Sequence, residues 1–268
     1  MSSSQKPLRR QTAVGIRGLK GVRPIVCVTA YDEPFARLAD AAMVDLILVG
    51  DSLGMACLGY ENTLNVTMEA MVHHTQAARK GVTNALLVTD MPFGSYGGNL
   101  QSTLDNAADL IRAGAAAVKL EGRFPVEVES LVKVGIPVMG HIGFTPQSVN
   151  VLGGAKVQGR DQDSHKSLIE CAQELEKAGA FAIVLELMPV NLARDISKSI
   201  SIPTIGIGAG AECDGQIQVI HDILGLSAGE YRHSKRYLNL GEVIHCGLSE
   251  YVNEVKSKQF PTDDHGFN

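Results

Sequence analysis

Short runs of consecutive apolar residues, rich in β-branched side chains and cut off by turn formers, recur from one end of this chain to the other. They are IVCVTA (25–30), LILVG (46–50), ALLVT (85–89), AAVKLE (116–121), IPVMGH (136–141), AIVLE (182–186), IPTIGIG (202–208) and IQVIHDIL (217–224). A strand with one face in water alternates apolar and polar residues. A strand that is apolar throughout is buried on both faces, as in a parallel sheet covered by helices. Helical patterns fill the intervals. Leu104, Ala107, Ala108 and Ile111 follow i, i+3, i+4, i+7 spacing, with Ser102 and Asp105 as a capping pair and Gly114 as the stop. Leu168, Ala172 and Leu175 form a second stripe closed by Gly179, and Thr67 caps a third running through Met71, Val72, Thr75 and Ala78. Strands alternating with helices build right-handed βαβ units. Eight strands predict a (β/α)8 TIM barrel, with an open doubly wound sheet as the alternative.

An internal repeat favours the barrel. AGAAAVKLE (113–121) matches AGAFAIVLE (178–186), and each is followed by a similar strand, GIPVMGHIG (135–143) and SIPTIGIG (201–208). The 268 residues read as a single barrel domain over 1–268, with an N-terminal arm over 1–24 and a C-terminal extension over 227–268. The arm carries only basic charges before Asp32. That composition also suits an organelle transit peptide, but a basic arm packed on the domain is the preferred reading.

Composition excludes several function classes. A net charge of −5 gives no electrostatic footprint for nucleic acid. No apolar run approaches the ~18 residues of a membrane span. Cys27, Cys57, Cys171, Cys213 and Cys246 are odd in number and lack C-x-x-C spacing, so reduced structural thiols are expected.

The apolar runs end in polar residues: Asp51 and Ser52, Asp90, Lys119 and Glu121, His141, Glu186, then GIGAG (206–210). In a parallel barrel these ends share one rim, where barrel enzymes build their sites. Asp51, Asp90 and Glu121 close three consecutive strands about 4.8 Å apart, so their carboxylates can reach one ion. An all-oxygen set with few protein ligands suits Mg²⁺, which keeps waters and leaves places for substrate; zinc would prefer His or Cys. Each acid has an alternative, to cap the helix that follows.

Lys119 and Glu121 lie two apart on one strand and share the inward face. Lys119 either neutralises an oxyanion beside the metal or pairs with Glu121. Glu186 takes the repeat position of Glu121, with Val184 in place of the lysine. An isolated carboxylate at an apolar strand end has a raised pKa, which suits a general base; a buried hydrogen-bonded acid is the alternative. His141 reads as a structural histidine, and GIGAG gives weak support for a phosphate site.

Several of these residues lie in longer motifs: TAYDEPFA (29–36), LVGDSLGM (48–55), TDMPFGSY (89–96), VKLEG (118–122), GHIGFTPQSVN (140–150), VQGR (157–160) and GIGAGAECDGQIQVIHD (206–222). Together they resemble the ketopantoate hydroxymethyltransferase family from about Ile25 to Phe267. The resemblance implies a phosphoenolpyruvate/pyruvate-superfamily barrel that uses Mg²⁺. It implies transfer of a one-carbon unit from 5,10-methylenetetrahydrofolate to 3-methyl-2-oxobutanoate, giving 2-dehydropantoate for pantothenate and coenzyme A synthesis. It further implies a cytoplasmic homo-oligomer, a decamer, with no nucleic acid or membrane partner. By the same resemblance Asp51, Asp90 and Glu121 belong to the metal site, Asp51, Ser52, Asp90 and Lys119 to the keto-acid site, and Glu186 is the base. Two other readings stand beside it. One is a different Mg²⁺/α-keto-acid lyase or mutase, although a Lys-Lys-Cys-Gly-His-like loop is absent. The other is a non-catalytic metabolite-binding barrel.

Overall fold

The computed structural model describes residues 10–227, 229 and 231–267. Its elements run α1 (Ala13–Arg17), β1 (Ile25–Thr29), α2 (Glu33–Ala41), β2 (Leu46–Val49), α3 (Leu53–Ala56), α4 (Met68–Gly81), β3 (Leu86–Asp90), α5 (Leu100–Ala113), β4 (Ala117–Glu121), α6 (Pro125–Lys133), β5 (Val138–Gly143), α7 (Val149–Leu152), α8 (Gln162–Lys177), β6 (Ala182–Glu186), α9 (Val190–Ser199), β7 (Thr204–Ile207), β8 (Gly215–Gln218), α10 (Ile220–Leu224) and α11 (Leu240–Lys256). The strands close into a barrel in sequence order, every neighbouring pair parallel. The chain divides into two compact units between Val219 and Ile220. The first holds the barrel strands and α1–α9; the second holds α10 and α11.

The predicted strands appear within a residue or two, except the last. The run 217–224 is divided: β8 occupies Gly215–Gln218 and α10 takes Ile220–Leu224. Ile217 and Val219 keep the strand period, whereas Ile220, Ile223 and Leu224 follow the helical one. Closure explains why β8 opens on glycine. A Cβ on Gly215 would meet Ile25 O at 2.4 Å, so any side chain there would push β8 away from β1. The Ser102–Asp105 capping pair is also corrected. Asn99 caps α5, its side chain accepting from the backbone N–H groups of Gln101 and Ser102, while Gly114 ends the helix in the left-handed conformation as expected. Thr67 caps α4 by accepting from Ala70 N.

Inside the barrel, alternate strand residues form the core: Ile25, Leu46, Leu86, Ala117, Ala182 and Ile205 near the strand starts, then Cys27, Leu48, Val88 and Val184. Ala13 and Ile16 of α1 belong to the same cluster, so the described part of the arm plugs the N-terminal mouth. Lys20 secures it, donating to Asp214 Oδ2 and Ser197 O at 2.8 Å each. Residues 1–9 of the arm lie outside the described residues. All five cysteines are free thiols. Among the described residues no helix is long and apolar enough to cross a membrane.

Candidate active site

With apolar side chains filling the barrel from its N-terminal mouth, the inward positions at the other end belong to Asp90, Lys119, Glu121, His141 and Glu186. Strand register brings them together. Asp90 stands opposite Lys119, and Glu121 opposite His141. Glu186 stands opposite Gly143.

Lys119 is the hub. Its Nζ lies 2.9 Å from Asp90 Oδ1, 3.2 Å from His141 Nδ1 and 3.7 Å from Glu121 Oε1. The nearer acid is therefore Asp90 rather than Glu121. Burial alone would deprotonate Lys119, but Asp90, then Glu121 and Asp51, outweigh it and hold the ammonium above its ordinary value. Asp51 follows β2 and turns inward. Its N–H donates to Asp90 Oδ2 (3.0 Å), and its Oδ2 accepts from Gln147 Nε2 (2.8 Å). Burial first, then the charges of Asp90 and Glu121, push the Asp51 carboxyl well above the usual range. Asp90 is raised too, by burial, with Lys119 opposing. Glu121 goes the other way: its burial is overcome by His141 and Lys119, and its Oε2 accepts from Gln147 N at 3.0 Å.

None of the three acids caps a helix. The N-cap positions of α3, α5 and α6 belong to Ser52, Asn99 and Phe124. The capping alternative is thereby removed. Ser52 itself makes no side-chain cap; its Oγ lies 2.8 Å from Tyr31 Oη. A Cβ on Gly50 would sit 2.8 Å from Ser52 Oγ and 3.5 Å from Asp90 Oδ2, so hydroxyl and carboxylate share the space above this glycine.

Two features escaped the sequence. Gln147, in the loop after β5, ties the acids together: its amide N–H donates to Glu121, its Nε2 to Asp51 and Met91 O, and its Oε1 accepts from Tyr96 Oη at 2.6 Å. His141 is no bystander either. Its Nδ1 lies 3.3 Å from Glu121 Oε1 and its Nε2 3.2 Å from Glu186 Oε2. Burial and Lys119 oppose its protonation, but Glu121 and Glu186 prevail and raise its pKa to about 9. The only sequence signal was position: His141 ends a strand beside Glu121's.

Glu186 corrects a premise. It was expected to be isolated among apolar groups, yet it faces the His141 imidazole. It also differs from the other acids in access: its side chain is 16% exposed, against 2% for Glu121. The backbone around it is tightly held. Glu186 O accepts from Phe144 N, Leu187 N donates to Ile207 O, and Leu187 O accepts from Gln158 N, each at 2.8–2.9 Å. Leu187 adopts φ +43°, a left-handed conformation that non-glycine residues rarely take. Gly143, at φ +99°, has no room for a side chain, since a Cβ would meet Glu186 O at 2.2 Å.

The donor chemistry fits a hard divalent cation. Asp51 and Asp90 present oxygen only, and burial, then the neighbouring acids, disfavours their charged forms more than Lys119 restores them, a deficit that a bound cation would offset. Asp90 Oδ1 makes no directed hydrogen bond despite its closeness to Lys119. Four carboxylates, including Glu186, face one ammonium and one imidazole, leaving an excess of negative charge. Among the described residues no three His, Cys, Asp or Glu side chains form a ready metal cage. Both Glu121 oxygens are engaged, so the fit is to an ion with two direct protein ligands that completes its shell with water or substrate.

Fold and site thus define a (β/α)8-barrel enzyme with a buried acidic rim. Solved structures share the fold: phosphoenolpyruvate phosphomutase from Streptomyces platensis subsp. rosaceus (TM-score 0.63, 15% identity, 96% of this chain and 92% of that one) and 2,3-dimethylmalate lyase, a PEP mutase/isocitrate lyase superfamily member (0.58, 15%, 92% and 87%). The family model for ketopantoate hydroxymethyltransferase matches residues 10–263. The 3-methyl-2-oxobutanoate hydroxymethyltransferase of Clostridium botulinum is 55% identical over 91% of this chain and 90% of its own. Those of Thermosipho melanesiensis (50%, 93% and 96%) and Pyrobaculum aerophilum (52%, 92% and 95%) are similarly related. The chain belongs to the ketopantoate hydroxymethyltransferase family, and it is a transferase. Membership decides against the lyase, mutase and non-catalytic readings.

Proposed function

We propose that this enzyme transfers a hydroxymethyl group from 5,10-methylenetetrahydrofolate to 3-methyl-2-oxobutanoate, giving 2-dehydropantoate for pantothenate and coenzyme A synthesis. The observation that carries the mechanism is the division of the rim. A buried set, Asp51, Asp90, Lys119 and Glu121, faces a single accessible carboxylate, Glu186, across His141.

Asp51, Asp90 and Glu121 would form the Mg²⁺ site, and the ion would supply Lewis-acid stabilisation of charge on the keto oxygen. Lys119 adds positive charge to the same side of the substrate. Ser52, with Asp51 and Asp90, lines the keto-acid site. Glu186 removes the proton from C3 of the keto acid. Water supplies the hydroxyl oxygen: it adds to the one-carbon unit as both bonds to the folate nitrogens break and those nitrogens take up its protons, and the electron pair left on C3 forms the new bond to that carbon, with the proton held by Glu186 passing to the new alkoxide. Glu186 sits on β6, two strands from β4, so it approaches from a side the buried acids do not occupy.

The reading includes a cytoplasmic location and a homo-oligomer, a decamer. Supporting the assembly, α11 carries Val243, Ile244, Leu248, Tyr251 and Val255 exposed at helical spacing. Sedimentation of the purified protein measures its size. The function is tested by following 2-dehydropantoate formation from 3-methyl-2-oxobutanoate and methylenetetrahydrofolate, with and without EDTA. Product that depends on both the folate and the metal supports the reading; folate-independent turnover of the keto acid contradicts it.

A further inference from the structure

Glu186 has its main chain fixed on three sides, yet its carboxylate depends on one polar group. Among the described residues, the imidazole of His141 is the only side chain recorded against it, Nε2 to Oε2 at 3.2 Å. The contact is not a well-directed hydrogen bond. Catalytic contacts of this kind often tighten only when substrate is bound. The ring itself has little freedom. It is 3% exposed, and its other nitrogen is wedged between Lys119 Nζ and Glu121 Oε1 at 3.2 and 3.3 Å. Glu186, by contrast, is partly open to solvent and has rotamer freedom to lose. A rigid ring thus stands against a freer carboxylate at the place where the base must be aimed.

We propose that His141 is a positioning residue that aims the Glu186 carboxylate at the carbon losing its proton. Its fixed nitrogen borrows rigidity from the buried Lys119–Glu121 pair, and its free nitrogen passes that rigidity to the base. The proposal rests on Glu186 being the base, as in the proposed function. His141 makes no covalent contribution, and the proton goes to Glu186. A base displaced by roughly an ångström loses on the order of 10²-fold in rate, and the loss falls on kcat because the keto acid is held by other residues.

The test compares His141→Ala, His141→Gln, Glu186→Gln and the His141→Ala/Glu186→Gln double variant. The readout is exchange of the C3 hydrogen of 3-methyl-2-oxobutanoate in D₂O with Mg²⁺, together with thermal melting. His141→Gln keeps a donor near the Nε2 position and relieves the destabilisation that His141→Ala would cause beside Glu121. We expect His141→Ala to lower kcat for exchange about 10²-fold with KM changed less than about threefold. His141→Gln should recover about tenfold of the loss, and His141→Ala should cost nothing further once Glu186 is Gln. Equal losses in both backgrounds, a change confined to KM, or failure of His141→Gln to recover rate while melting like wild type would overturn the positioning role. Undiminished exchange by Glu186→Gln alone would instead overturn the base assignment, so the two failures are distinct.

Discussion

The ends of β4 and β6 grow from the same repeated sequence pattern and arrive at different chemistry. Each closes on a glutamate at the same register, Glu121 and Glu186. Beside Glu121 the repeat carries Lys119; beside Glu186 it carries Val184, which stays in the apolar core. Glu121 is buried and bound on both oxygens, by Gln147 N and His141 Nδ1, and against its burial His141, then Lys119, hold its carboxyl below the ordinary range. Among the described residues Glu186 faces the imidazole of His141, and its side chain is partly exposed. The same repeat position therefore carries a fully buried carboxylate on β4 and a partly exposed one, the proposed base, on β6. His141, on the strand between them, touches both.

Removing the proposed metal should break the comparison most severely, because the buried acids on the β4 side would lose the cation that offsets their charge. EDTA is expected to reduce hydroxymethyl transfer by at least about 10³-fold, a loss worth ~4 kcal/mol of barrier, with recovery on adding Mg²⁺. Mg²⁺ should also raise the melting temperature of the wild type, by binding only the native state, and should do so far less in Asp51→Asn.

Lys119→Met tests the lysine directly. It leaves Asp90 and Glu121 buried without their ammonium, and loss of one partner from a buried ion pair costs about 3–5 kcal/mol of stability. Denaturant titration should show that loss, and the keto-acid KM should rise.

The pH dependence of stability sharpens the part played by the strand between. In the native chain Glu121 and Glu186 favour, and Lys119 opposes, the charged ring of His141, whose pKa is about 9. The unfolded value is about 6.5, so this group adds stability below that pH which is lost as pH rises towards 9, on the order of 3 kcal/mol. Metal-free wild type should melt progressively lower across that window. His141→Gln should flatten the decline across that window.

The smallest effect is expected on the β6 side. Val184→Ala removes two buried methyl groups, about 2 kcal/mol, and should lower stability while leaving keto-acid KM near wild type. A large KM change there would show that the two strand ends are less distinct than their geometry implies.

Most of the barrel could be read from the order of apolar runs, because burial on both faces removes alternation and leaves an unmistakable pattern. The division of 217–224 could not, since its apolar residues satisfy strand and helix periods in turn. Asp51, Asp90, Lys119, Glu121 and Glu186 were legible because each follows a buried run, where a charge needs a reason. His141 and Gln147 were not. Their importance comes from what lies opposite: Glu121 across the β4–β5 register, and Asp51 across a loop that folds back over the rim. Neither distance is encoded in local spacing. The capping alternative for the acids was equally open in the sequence, and only side-chain geometry removed it.

The most direct test of the division between the two strand ends is C3 hydrogen exchange by Glu186→Gln with Mg²⁺ and saturating keto acid. The account predicts exchange slowed by about 10³-fold or more, within the range of general-base catalysis, while keto acid and Mg²⁺ still raise the melting temperature as in the wild type. Exchange at the wild-type rate would contradict it, and would move the base away from β6.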